Sequence, residues 1–386
     1  MKTWTSLFMT TLLAACASAP PAIAPPVAGL FDDSRFAPPR EQIGTENLFG
    51  MTEDMRTYLR TELAAQSHLG GNYDIRKRLF DALYKKGELK IDYDTSLTRT
   101  AAQTFAARSG NCLSLAVMTA VFAREAGLDA HFQSVDVERS WSRTGGVYVG
   151  NGHVNVVLEN PIGAKRWIGD QQSHLTVDFL PQGETSGHRT DDIDDERIAA
   201  MFMNNRAAEA LTAGRLDDAY WWARRGVAEH PQFLPAWNTL GVIYQRHGDL
   251  FLAERVFGAL LARDADSTLA MSNLIPVLKT LGKADEAAAL DVRLRALEPH
   301  QAFQYFNQGL AAMRSGDFKA ARTLFAKEVK RDPYYHEFHF WLAQAYYRLG
   351  ENAKADEELA VAIQTSTTGK DKATYSAKLE RLRALH

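Results

Sequence analysis

Thiol chemistry needs a sulfur that can ionise and a base to manage its proton, and two stretches of this sequence supply those residue types. In SGNCLSLAVMTAVFAREAG, Cys112 opens a run whose only polar residues before Arg124 are Ser114 and Thr119. Such a run predicts a helix buried nearly all round. Gly127 stands where a C-terminal glycine cap is expected, and Ser109 or Asn111 could cap the start. Cys112 would then sit in the first turn, where unpaired N–H groups and the helix dipole favour a thiolate and could hold an oxyanion. In GNGHVNVVL, His153 opens an alternating segment, with Val154, Val156 and Leu158 on one face and His153, Asn155 and Val157 on the other. Imidazole can take the thiol proton and return it to a leaving group. A carboxylate must then fix the ring: Asp178 in LTVDFLP is preferred, with Asp170 in RWIGD the alternative. A lone cysteine on an apolar helix is ordinarily core filling, and a lone strand histidine ordinarily structural, so the combination carries the reading.

The elements that must position these groups are mixed. Amphipathic helical patterns cover residues 52–66 and 72–86, the Cys112 helix follows, and extended runs occupy 131–137, 146–160 and 174–181. Helices followed by antiparallel strands indicate an α+β fold. The motifs GNCLSLAVMTAVFAREAGLDAHFQSV, GHVNVVLE and LTVDFLP resemble the transglutaminase-like superfamily, the papain-related thiol fold, over roughly residues 52–181. The resemblance implies Cys112 as nucleophile, His153 as base and an aspartate, Asp178 or Asp170, as the group orienting it. That family usually carries His-x-Trp, where this chain has His153, Val154 and Asn155. His131 follows the Ala-Gly-Leu turn directly and reads as structural. His174 and His188 have no metal-ligand spacing, two distant cysteines make no zinc framework, and no phosphate loop occurs, so no cofactor or metal is expected.

From about residue 200 the chain repeats. Gly214, Gly248, Gly282, Gly316 and Gly350 are 34 residues apart, and Ala219, Ala253, Ala287, Ala321 and Ala355 follow each by five. Glycine turns the chain between paired helices, the small alanine lets them approach, and Pro231, Pro299 and Pro333 end the second helix. This period, with Trp237, Leu240, Gly241, Tyr244, Ala253 and Phe257, resembles the tetratricopeptide repeat. It predicts an all-α solenoid of five repeats over 200–369 and a capping helix over 370–386. Tyr305, Phe306, Phe340 and Trp341 could line a ligand groove or fill the spaces between helices.

The first residues, MKTWTSLFMTTLLAAC, have one lysine, an apolar stretch too short to span a bilayer and then small residues, as a secretory signal does. The ending Leu13-Ala14-Ala15-Cys16 resembles a bacterial lipobox, which implies lipidation of Cys16; an ordinary cleaved signal is the alternative. The expected plan is a signal peptide at 1–16, a Pro-rich tether at 17–35, the thiol domain at 36–195 and then the repeats. With Cys16 acylated, Cys112 has no disulfide partner, so it is either filler or a nucleophile. The net charge of −3 is dispersed, which gives no footprint for nucleic acid. The whole implies an exported protein, lipid-anchored to a bacterial cell envelope and facing the periplasm. It acts on amide bonds of a protein or peptide through a thioester, with a protein or peptide partner held in the repeat groove. The competing expectation is a tethered, non-catalytic interaction scaffold; redox sensing by Cys112 lacks a resolving thiol.

Overall fold

The chain is seen in a computed structural model that describes residues 27–65, 74–85, 89, 91–135, 141–144, 147–150, 152–160, 174–179, 189–298 and 303–384. The expected signal peptide, Cys16 and Asp170 lie outside the described residues.

Helices α1 (Glu53–Ala65), α2 (Ile75–Phe80) and α3 (Ala101–Ala107) precede α4 (Cys112–Glu125), the helix expected behind Cys112. A parallel pair of two-residue strands, β1 (Asp92–Tyr93) and β2 (Ser109–Gly110), runs up to the start of α4. β3 (Asp129–Val135), β6 (His153–Glu159), β7 (His174–Val177) and β8 (Thr190–Ile193) form an antiparallel sheet in the order β7-β6-β3-β8. β4 (Trp141–Thr144) and β5 (Val147–Gly150) make a separate hairpin. β6 is buried on both faces, and alternation decides which of its residues face α4. Val154, Val156 and Leu158 of β6, Phe132 of β3 and Val177 of β7 enter one apolar core with Leu113, Ala116, Val117 and Ala120 of α4. Burying the aliphatic side chains of that layer contributes on the order of 1.5–3 kcal/mol each. Gly127 takes φ +80° just past α4, as its capping position requires.

Five helical hairpins follow: α5 (Asp195–Thr212) with α6 (Leu216–Glu229), α7 (Leu234–His247) with α8 (Leu250–Leu261), α9 (Thr268–Thr280) with α10 (Ala284–Leu297), α11 (Gln304–Ser315) with α12 (Phe318–Arg331), and α13 (His336–Arg348) with α14 (Asn352–Thr365). A last helix, α15 (Gly369–Ala384), packs on α14. The spacing has a direct physical cause. Gly214, Gly248, Gly282, Gly316 and Gly350 all turn in the left-handed region between paired helices. The five periodic alanines are completely buried at the crossings. Gly241 and Gly309 serve differently: a Cβ there would lie 2.6 Å from the ring of Phe257 or Phe325, which the second helix drives against the first.

Two boundaries differ from expectation. Residues 29–47, read as the end of a tether and the start of the thiol domain, lie along the first two repeats. Phe36 stacks on Tyr220 with centroids 3.9 Å apart, Asp33 pairs with Arg224 at 2.7 Å, and Trp221 Nε1 donates to the Ala37 carbonyl at 2.7 Å. An aromatic and a carboxylate close behind a Pro-rich stretch find matching partners on α6, which fixes what a free tether would leave loose. The boundary between the thiol domain and the repeats is also less sharp than expected. β5 packs against α7 and α9, α4 packs against α5, and one apolar core runs from Leu30 through α4 and the sheet to Leu294 of the third repeat. The front of the solenoid and the α+β part therefore share an interior.

A Gly309→Ala exchange should destabilise the protein by roughly 1–3 kcal/mol, because the Phe325 ring cannot yield without losing its packing. Chemical denaturation reads the loss, and adding Phe325→Leu should recover part of it. An unchanged midpoint would contradict this account of the crossing.

Candidate functional site

The Gly-Asn-Cys start of α4 is built for close packing. A Cβ at Gly110 would lie 2.8 Å from the Ser114 Cβ and 3.2 Å from Thr104, so only glycine lets the chain pass into the helix there. Asn111, not Ser109, is the cap: its Oδ1 accepts from the Ser114 N–H at 2.9 Å and from the Ser114 hydroxyl at 2.8 Å. Its amide nitrogen donates to the Thr98 hydroxyl at 2.7 Å, so the cap is held from behind as well. Cys112 follows as the first helical residue and is partly buried.

His153 starts β6 and is buried to 4% exposure. β7 ends one residue before Asp178, and its antiparallel register, with Val156 opposite Val177, brings Asp178 alongside the start of β6. The His153 Nε2 lies 2.7 Å from the Asp178 carboxylate. The Cys112 sulfur lies near enough to the same ring for each group to shift the other's ionisation. The three residues read from the sequence thus meet in one chain of contacts, with Asp178 in the third position.

The electrostatics follow from that order. Burial opposes ionisation of the Cys112 thiol, yet its pKa is held below the ordinary value by the hydrogen bond and charge of His153, and by the N–H groups of Val154 and Leu113. Burial likewise opposes a charged His153, but the Asp178 carboxylate and the Cys112 sulfur outweigh it and raise its pKa to about 9. The arrangement thus shifts both groups toward their charged forms.

Other residues fall outside this cluster or beside it. Asn155, where the resemblance would place an aromatic, is 4% exposed, and its Oδ1 has no hydrogen-bond partner. His131 pairs in register with Val157 inside the sheet, away from the thiol. Among the described residues no group of three or more His, Cys, Asp or Glu could hold a metal ion. Phe306 is core, packed with Phe325 and Phe338, while Phe340 stacks on Tyr375 of α15 and Trp341 lies against Phe325. Tyr305 sits under the Lys327 ammonium. Sequence reading missed the Val154 N–H and the Thr98 hydroxyl; neither backbone donors nor a threonine 14 residues upstream of the thiol leave a pattern to read.

The tetratricopeptide repeat family model matches residues 306–368. No curated protein matches the chain. Among solved structures, a thermophilic tetratricopeptide repeat protein of Thermus thermophilus is similar at 19% identity, covering 47% of this chain and 98% of its own, with a TM-score of 0.33. YrrB, described as a tetratricopeptide repeat protein with an unusual peptide-binding site, is 18% identical over 46% of this chain and 92% of its own, with a TM-score of 0.26. The C-terminal part is an all-α array of tetratricopeptide-like repeats, a class that serves protein–protein contact.

Iodoacetamide should alkylate Cys112 with a pH midpoint below the roughly 8.5 of a free thiol. His153→Ala should restore the ordinary midpoint. A native-protein profile identical to that of a free thiol would contradict the paired site. Stability should show the partner effect with a definite sign. The folded pKa of His153 is raised, so the ion pair with Asp178 contributes fully below the unfolded value near 6.5 and fades as pH rises through about 9. Asp178→Asn should therefore lower urea stability by on the order of 1–3 kcal/mol at pH 6 and by less at pH 10. A gap that widens with pH would refute the assignment.

Proposed function

We propose that this is a thiol-dependent acyl-transfer or hydrolytic enzyme whose α+β part is transglutaminase-like, acting on an amide of a protein or peptide. The observation that carries the reading is the 2.7 Å contact of His153 with the Asp178 carboxylate, beside a Cys112 thiol whose pKa the same ring lowers. Deprotonated Cys112 attacks the amide carbonyl carbon, and its electron pair forms the C–S bond while the carbonyl oxygen takes the negative charge. Backbone N–H groups at the first turn of α4 are suited to that charge. Protonated His153 gives its proton to the departing nitrogen as the C–N bond breaks, and the thioester remains. His153 then deprotonates a water or an amine that attacks the thioester, and the thiolate leaves. Asp178 keeps the ring oriented and stabilises its charge throughout.

On this reading the repeats bring a protein or peptide substrate to the thiol, in keeping with the family they match over 306–368. Cys16 would carry a lipid anchor and hold the protein on a cell-envelope membrane; among the described residues no helix is long and apolar enough to cross one. The scaffold alternative draws on the same repeats and needs no chemistry at Cys112.

Intact-mass analysis after incubation with an activated acyl ester and with glutamine-containing peptides tests the reaction. The expected result is a single acyl adduct on Cys112, discharged by hydroxylamine and absent in Cys112→Ala. Failure of the unaltered, folded protein to form any adduct would leave the scaffold.

A further inference from the structure

The segment between β1 and α3 is anchored from three sides. The Asp92 N–H donates to the Arg108 carbonyl at 2.9 Å and the Asp94 N–H to the Gly110 carbonyl at 3.0 Å, which bind its first residues to the strand leading into α4. Further along, the Arg99 N–H donates to the Ser114 hydroxyl at 2.8 Å, and the Thr98 hydroxyl takes the Asn111 amide at 2.7 Å. The repeats hold the same segment. The Thr98 N–H donates to Glu209 Oε1 on α5 at 2.6 Å, and the Thr95 N–H and hydroxyl donate to the Thr367 carbonyl, between α14 and α15, at 3.0 and 3.1 Å. Both ends of the solenoid thus grip the stretch that supports the cap of the Cys112 helix.

Glu209 is itself fixed. Its Oε2 accepts from Arg206 at 3.0 Å, and Arg206 reaches Glu41 of the docked front segment at 2.6 Å. Glu41 also accepts from Trp222 Nε1 at 3.0 Å and from Arg215 at 3.3 Å. Thr98 and Asn111 are buried at 1% and 7% exposure, so a lost partner there is not replaced freely by water. A carboxylate on one helix of a repeat, pointed at a backbone N–H two contacts from the thiol, does more than a solvated surface residue.

We infer that Glu209, on the first repeat, is a positioning residue for the Cys112 thiol, acting through Thr98 and Asn111. This rests on the activated-thiol reading above. The repeats then belong to the scaffold of the reactive centre as well as to whatever contacts they make outside it. Removing the Glu209 acceptor frees the Thr98 backbone, loosens the Asn111 cap and lets the first turn of α4 drift from His153 and the Val154 N–H. Among the described residues the charged groups facing this start of α4 include His153, Asp178 behind it, and the Arg99 guanidinium, which reaches the Ser109 carbonyl at 3.4 Å; none of them is altered in the test.

The test is the pH profile of Cys112 alkylation by iodoacetamide, read together with thermal unfolding, for full-length protein. Glu209→Ala should move the midpoint upward and slow alkylation at pH 6 by about tenfold, the effect of one pKa unit on the thiolate fraction. Glu209→Gln keeps an acceptor oxygen and should restore the native midpoint. Thr98→Val removes the hydroxyl without touching the Glu209 contact, should shift the midpoint in the same direction, and serves where Glu209→Ala folds poorly. A loss of thermal stability with an unmoved midpoint in both Glu209→Ala and Thr98→Val would overturn the proposal while leaving the thiol reading intact. So would Glu209→Gln behaving like Glu209→Ala. An unaltered protein that alkylates as a free thiol overturns both.

Discussion

A buried imidazole beside a carboxylate and a thiol keeps its charge only where its geometry is held without slack. Desolvation works against both charges, and at Cys112 and His153 it is outweighed by hydrogen-bonding and charged neighbours, the 2.7 Å Asp178 contact among them. Those partners come from distant points of the chain: the front of α4, the first residue of β6, and the residue just past β7. The sheet order β7-β6-β3-β8 brings the last two together, and α4 packed on β6 and β3 supplies the first. The fold thereby places the start of α4, the His153 ring and the Asp178 carboxylate at one end of the sheet.

Rigidity of that kind extends beyond the α+β part. A single apolar core joins α4, the sheet and the first three repeats, while the fourth and fifth repeats and the cap have smaller cores of their own. The early repeats are therefore structural partners of the thiol region, with their inner helices α5, α7 and α9 turned toward it. Surface for an outside partner is to be sought on the later repeats and on outer faces. Tyr347, 43% exposed on α13, and Phe251, 71% exposed on α8, are large apolar side chains on such faces.

The solenoid was legible in the sequence because a helical hairpin imposes hard local demands at a fixed interval. A left-handed turn wants glycine at 214, 248, 282, 316 and 350, and a close crossing wants alanine five residues on. The apolar Cys112 helix and the alternating β6 were legible for the same reason, since each pattern is local. What sequence could not decide was pairing at long range. Ser109 and Asn111 are both capping residue types, and only the Ser114 N–H donating to the Asn111 Oδ1 decides between them. The docking of residues 29–47 depends on partners such as Tyr220 and Arg224, far along the chain on α6, and a Pro-rich run gives no hint of them. Glu209 carries no motif that would single it out in the sequence. Its contact with Thr98 spans 111 positions and leaves no periodic trace.

The central claim is that Cys112 exists as a thiolate paired with a charged His153 around neutral pH. The ultraviolet difference spectrum between the native protein and Cys112→Ser, followed from pH 4 to pH 10, measures it directly. The account predicts a thiolate band already present at pH 6 and still strong at neutrality. A band that emerges only near pH 8.5, the range of an ordinary thiol, would contradict it.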